Sequence, residues 1–240
     1  MKRLGWVLAA ALAVGVALRL GFWQLDRAAQ KTSAQALMAG RSAAPVLDAA
    51  SFATLCCADP AALHYRTLRL RGQWLAEHSV WLENRQMNGR PGFFLVTPLR
   101  LEGRPEAVLV QRGWAVRDAD DRTRLPDVAT PAGTVEVEGL IAPPPARLYE
   151  FATSASGVIR QNLDLPALAA QIGLALLPVS LLQRDPPGGA GDPLLRQWPR
   201  PAVDVQKHHG YAFQWFALGA LMSGLYVWFQ LVRPWRARRA

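Results

Sequence analysis

The chain has 240 residues, 27 Lys and Arg against 18 Asp and Glu, a formal net charge of +9 and a pI near 10.5. Hydrophobic residues make up 51% and charged residues 19%, which excludes intrinsic disorder for the whole chain; two cysteines exclude a disulfide scaffold. The positive excess first suggests a polyanion such as nucleic acid as partner, so the location of the charge has to be read.

Lys2 and Arg3 precede Leu4–Leu18, 15 residues without a charge. Arg19 interrupts the run and Leu20–Trp23 resume it, close enough to the end for the Arg stem to snorkel. Residues 1–23 thus read as a short N-terminus and a first transmembrane helix. A cleaved signal peptide is the rival reading. No small-x-small cleavage site follows; bulky Phe22, Trp23 and Gln24 stand there instead, which favours an uncleaved anchor.

Residues 24–206 form one β-rich domain with an N-terminal stalk. Ala28–Ala44, rich in Ala, Gln and Ser, is predicted to be a helical stalk ended by Pro45. Arg66–Gly72 alternates apolar and basic residues, the period of a half-buried strand. A short strand at Ser79–Glu83 precedes Asn84–Gly92, which holds the turn dipeptides Asn-Gly and Pro-Gly. Phe93–Leu101 and Ala107–Val116 flank a turn at Glu102-Gly103 and predict a hairpin. Val135–Ile141, Val158–Leu163 and Leu176–Gln183 read as further strands. Asp164 is placed to cap a short helix through Ile172, closed by Gly173. Asp185–Pro201 is rich in Pro and Gly and reads as a flexible loop.

Residues 207–232 are the second transmembrane helix. Tyr211–Val232 are 22 residues without a charge, about 33 Å of helix against a hydrocarbon core of about 30 Å. Residues 233–240 are a basic tail. Small residues four apart, Ala11 with Gly15 and Ala220 with Gly224, hint that the two spans touch. Basic flanks at both chain ends predict cytoplasmic termini and the domain outside. The expected class is a membrane protein whose two transmembrane helices flank a mostly antiparallel β domain, α+β and small-barrel-like, outside the cytoplasm.

The charge then resolves. Lys2, Arg3, Arg19 and Arg233, Arg236, Arg238 and Arg239 carry seven of the 27 positive charges, and no acid lies before Asp26 or after Asp204. The remainder holds 20 positive against 18 negative residues. The pI reports chain ends rather than a basic domain, and nucleic acid is dropped as a partner; membrane lipid takes its place.

Motifs for known catalytic chemistry are missing: there is no G-x-S-x-G, H-E-x-x-H, Walker A or G-x-G-x-x-G. An enzyme is not expected. Cys56-Cys57 admits a soft metal, with His64 nearby, or thiol-redox chemistry, or no direct role. His208 stands just before the second span and shares a helical face with Tyr211. It reads either as an axial haem ligand or as a polar residue at the headgroup level. Arg112-Gly113-Trp114 and Arg71-Gly-Gln-Trp74 end strands; such pairs bind carboxylates, or place Trp in a core with Gly at a bulge.

Several of these segments together resemble the Surfeit locus protein 1 family. Gly21-Phe-Trp23-Gln24-Leu-Asp-Arg27 with Lys31 resembles its Gly-x-Trp-Gln-x-x-Arg-x-x-x-Lys motif after the first span. Asn84-Arg85 with Gly89-Arg90-Pro91-Gly92 resembles its Asn-Arg…Gly-Arg-Pro-Gly turn, and Leu109–Trp114 its Leu-Val-Asn-Arg-Gly-Trp strand end. Thr97-Pro-Leu99 also matches. His208–Phe216 resembles the family's approach to its second span, Asn-His-Leu-x-Tyr-Ala-x-x-Trp-Phe. Gln111, Lys207 and His209 depart from the pattern, and Cys56-Cys57 lies outside it.

The resemblance implies an assembly factor for haem–copper cytochrome c oxidase in a bacterial inner membrane. Such a factor takes haem a from the haem a synthase and aids its placement in oxidase subunit I. It implies His208 as the haem ligand, with Tyr211 and Trp215 beside it, and motif arginines and tryptophans that shape the domain or lie near haem propionates. The alternatives are a cofactor-free scaffold and a copper or thiol-redox factor. The topology has its own test: a reporter active only outside the cytoplasm should work when fused near Gly103 and fail when fused after Arg239, and the opposite pattern would reverse the orientation.

Overall fold

The computed structural model describes residues 2–56, 59–149, 157–186, 191–198 and 205–238. They fall into two compact units, Met1–Leu37 with Arg200–Ala240, and Met38–Pro199.

The first helix, α1, runs Lys2–Ala43 without a break. Sequence predicts a span and a separate stalk; the structure joins them, because no Gly or Pro between Trp23 and Ala28 interrupts the helical hydrogen bonds. The helix stops just ahead of Pro45, whose ring disfavours helical backbone in the residue before it. At the other end of the chain α4 runs Val205–Val227 and passes into a π-helical turn, Trp228–Val232. Pro234 lies in the short α5, Arg233–Ala237, and cannot donate to the carbonyl of Gln230, which accounts for the widened turn. Leu4–Ala43 and Val205–Ala237 are each long and apolar enough to cross a membrane.

In this unit α1 and α4 pack antiparallel. Gly219 meets Ala17 on the facing helix, and Gly21 meets the ring of Phe216. Ala17, Gly21, Gln24 and Ala28 recur at helical spacing on one face of α1, with Ala17, Gly21 and Ala28 buried. The predicted pairs Ala11/Gly15 and Ala220/Gly224 are exposed instead. Gly15 lies two residues and about 200° around the helix from Ala17, so the contact uses the opposite face. Small residues remain the means of close approach, on a different stripe.

The second unit is built on a seven-stranded sheet in the order β1-β5-β7-β4-β3-β2-β6. The strands are β1 Thr67–Trp74, β2 Val80–Met87, β3 Arg90–Leu101, β4 Glu106–Val116, β5 Thr134–Ala142, β6 Ile159–Arg160 and β7 Ala175–Gln183. Gly72–Trp74 of β1 also pair with Leu99–Leu101 of β3, so the ladder returns from β3 to β1. The sheet is mostly antiparallel, as sequence predicts, but mixed: β1–β3, β1–β5, β2–β3, β3–β4 and β5–β7 are antiparallel, and β4–β7 and β2–β6 are parallel. The parallel β7 arises because helix α3, Leu165–Ile172, crosses over before it. Asp164 caps α3 by accepting from the Ala167 amide at 3.0 Å, and Gly173 ends it in the left-handed region, both as sequence predicts.

Two predicted elements shift. The predicted strand at 158–163 shrinks to two residues, and β2 runs on to Met87, so the turn is Asn88-Gly89 alone. Pro91 and Gly92 lie inside β3. Sequence reading also passes over α2, Ala49–Cys56, which is short and follows directly on Asp48. Residues 187–190 and 199–201 of the predicted flexible loop lie outside the described residues. The part between is ordered by Leu195, which exchanges backbone hydrogen bonds of 2.8 Å with Trp114.

One apolar cluster fills the space between β1, β5, β7, β4 and β3, with Leu68, Leu99, Val108, Ile141 and Leu181 almost fully buried. A second joins Leu168 of α3 to Leu82, Val96 and Leu109. Strand β4 is covered on both faces. Gly92 is obligatory in this packing: an added Cβ would lie 2.2 Å from the Ala115 carbonyl oxygen and 2.5 Å from the Trp114 ring. Gly92→Ala should cost about 1–3 kcal/mol, read by chemical denaturation of the full chain; an unchanged midpoint would contradict this packing.

Candidate functional site

Arg85, Gly92, Arg112, Gly113 and Trp114 of the sheet-unit motifs are buried, whereas Asn84, Gly89, Arg90 and Pro91 are exposed. Asn84 takes a left-handed conformation (φ 57°) at an irregularity between Leu82 and Arg85, a region Asn enters at lower cost than most residues. The irregularity re-aims Arg85, which is 7% exposed. Its Nη1 donates to the Ala146 carbonyl at 2.9 Å and its Nη2 to the Gln161 carbonyl at 3.0 Å. Trp114 Nε1 donates to the Arg85 carbonyl at 3.0 Å, tying two motifs together.

Arg112 is 4% exposed and donates to Thr130 Oγ1 at 2.6 Å and the Ala129 carbonyl at 2.9 Å. Its guanidinium lies 5.0 Å from the centre of the Trp74 ring. Gly113 lets Leu194 approach; a Cβ there would meet that of Leu194 at 2.6 Å. Burial pulls the pKa of both Arg85 and Arg112 down. Neither makes an ion pair among the described residues, so Arg85 is held by two carbonyl oxygens and Arg112 by a carbonyl, a hydroxyl and an indole face. These arginines brace loops. Arg90, at the turn formed by Asn88 and Gly89, is exposed.

The helical unit gathers a different set. His208, on the first turn of α4, is half-buried, and its Nδ1 lies 2.7 Å from Gln24 Oε1 on α1. An amide oxygen only accepts, so the ring donates from Nδ1, and in a neutral imidazole Nε2 then keeps the lone pair. Gly21, one helical turn before Gln24, makes this possible: a Cβ there would lie 2.6 Å from the Phe216 ring. Phe22 and Phe216 stack edge to face at 5.3 Å. Tyr211 is exposed and Trp215 half-buried, both on the histidine's side of α4. Trp23 is exposed, with the Arg27 guanidinium 5.8 Å from its ring centre, and Arg27 donates to Gln30. The structure therefore brings Gln24 to His208 and leaves Trp23 and Arg27 on the outer surface of α1. Sequence reading names Gln24 only as a motif residue. Its partner is 184 positions away, and the one available signal is that Gly21 and Gln24 share a helical face.

Cys56 ends α2 and Cys57 lies outside the described residues. Burial, reinforced by Arg41, holds the His64 imidazole below its ordinary range. No group of three or more metal-ligating side chains occurs among the described residues.

A sequence profile of the SURF1 family matches residues 11–220. The chain belongs to the SURF1 family. A SURF1-like protein of Rickettsia bellii is 26% identical over 211 residues, 86% of this chain and 83% of the relative. A SURF1-like protein of Drosophila melanogaster is 27% identical over 248 aligned positions, 95% of this chain and 77% of the relative. The cytochrome oxidase assembly protein SHY1 of Saccharomyces cerevisiae is 30% identical over 136 residues, 55% of this chain and 34% of the relative. The SURF1 match spans every motif segment from Gly21 to Phe216, in both units.

In this SURF1-family chain the Gly21–Phe216 contact is testable on its own. Gly21→Leu should lower the thermal stability of the detergent-solubilised full chain. Adding Phe216→Ala should restore part of the loss, because the new side chain then has room. Strictly additive losses would show that the two positions do not meet.

Proposed function

We propose that this protein is a membrane-anchored assembly factor for cytochrome oxidase that holds haem a transiently through His208. The observation that carries the reading is the half-buried His208 whose Nδ1 is engaged by Gln24, leaving Nε2 as a lone-pair donor. That donor chemistry fits a haem iron: neutral imidazole is a common axial ligand, and its second nitrogen is ordinarily held by a hydrogen-bond acceptor. Membership of the SURF1 family and similarity to a yeast protein named for cytochrome oxidase assembly support the oxidase as the beneficiary.

His208 would hold the iron, and Tyr211 and Trp215 would offer aromatic surface on the same side of α4. Bound haem supplies only its own redox-active iron; the cargo is handed on. Gln24 orients the ring, and the packed helices hold Gln24. Apolar side chains point outward from both helices, such as Trp6 at 68% and Phe213 at 72% exposed, as expected of helices solvated by lipid. With basic residues at both chain ends, the proposed setting is a bacterial inner membrane, with cytoplasmic termini and a periplasmic sheet domain. The haem a synthase is the proposed donor and oxidase subunit I the acceptor. The role is non-catalytic.

The test is genetic and spectroscopic. A strain lacking this protein should assemble oxidase with depleted haem a, the wild-type chain should restore it, and His208→Ala should not. Normal haem a content in the deletion strain would overturn the assembly role. Full rescue by His208→Ala would favour a cofactor-free scaffold.

A further inference from the structure

We infer that Gln24 is a positioning residue: it selects the Nδ1–H tautomer of His208, points the ring, and so presents Nε2 to an electrophilic metal centre. The consequence for haem rests on the reading above; the tautomer itself does not. A neutral imidazole carries one N–H, and whichever nitrogen holds it cannot be a ligand. In water the Nε2–H form is favoured, which would leave the less accessible Nδ1 as the donor. At 2.7 Å the Gln24 carbonyl oxygen accepts from Nδ1 and reverses that preference.

Among the described residues Gln24 is the one hydrogen-bond partner of the His208 ring. The neighbouring polar groups on α1 are occupied with one another: Gln30 Nε2 donates to Asp26 at 2.8 Å, and Arg27 donates to Gln30. The helix spacing favours the same contact. Gly21 lets α1 approach Phe216 closely, and Gly21 and Gln24 lie one turn apart on the same face, so the backbone that carries the amide is held beside the ring.

The choice of an amide rather than a carboxylate has a chemical meaning. A carboxylate on the second nitrogen draws the proton and makes the imidazole a stronger donor. A neutral amide fixes the same geometry while leaving the donor at ordinary strength, which suits a cargo that must be released.

The experiment uses the full chain in lipid nanodiscs, above neutral pH. Nitrogen-15 NMR of the histidine ring reads the tautomer in the absence of haem, and a haem a titration then reads affinity. In the wild type His208 should show Nδ1–H. Gln24→Met, close in shape and without an acceptor oxygen, should move His208 toward Nε2–H and weaken haem a binding by roughly 10- to 100-fold. Gln24→Glu, which keeps an acceptor, should restore Nδ1–H, bind haem a at least as tightly as wild type, and release it more slowly. A Gln24→Met protein that keeps Nδ1–H would overturn the inference, as would a Gln24→Glu protein that fails to recover it. A tautomer change with unaltered haem affinity would leave the hold of Gln24 on the ring intact and overturn His208 as the haem ligand.

Discussion

The close approach of α1 to α4 at Gly21 is the constraint on which the helical unit depends. A side chain at that position would collide with Phe216. Without that approach an amide on one helix and an imidazole on the other would not stand 2.7 Å apart. The Gly-x-Trp-Gln and His-His-Gly-Tyr segments are thus two halves of one arrangement. Gly21 sets the spacing, Phe216 fills it, and Gln24 and His208 make the directed contact. In lipid, where helices gain nothing from hiding apolar surface from one another, small residues and interhelical hydrogen bonds supply association. One hydrogen bond then serves packing and, in the proposed function, ligand orientation.

The sheet unit solves a different problem with residues of the same kinds. Its motif arginines Arg85 and Arg112 are buried and bonded to backbone carbonyls, so they connect strands to the loops at Ala129–Thr130, Ala146 and Gln161. A buried cation without a carboxylate is costly to leave unsatisfied. Each arginine therefore demands one particular loop path, and the indole N–H of Trp114 adds a bond from the next motif to the Arg85 backbone. Gly92 and Gly113 serve the same interior by admitting Trp114 and Leu194. Arg85, Gly92 and Arg112–Trp114 thus converge on the packed interior of the sheet unit.

Much of this was legible in the sequence for local reasons. The two long apolar helices follow from uncharged length, the β3–β4 hairpin from alternation and Glu102-Gly103, and α3 from Asp164 and Gly173. Features settled by distant partners were not legible. The parallel pairing of β7 with β4 depends on a crossover, and the packing stripe at Ala17 and Gly21 depends on α4, so the nearby Ala11 and Gly15 mislead. Pro91-Gly92 resembles a turn locally, but Asn88-Gly89 closes the hairpin first and leaves the later pair in the strand. The functional residues show the same division. His208 stands out by its place ahead of an apolar run, whereas its tie to Gln24 exists only in the folded helix pair.

The most direct test of His208 as a haem ligand is the iron environment of the purified protein. The full chain, co-produced with a haem a synthase, should carry haem a in substoichiometric amounts, with a resonance Raman iron–histidine stretch in the ferrous form that shifts when the histidines are labelled with nitrogen-15. A protein that purifies free of haem under those conditions, or whose bound haem shows no histidine-sensitive iron vibration, would contradict it.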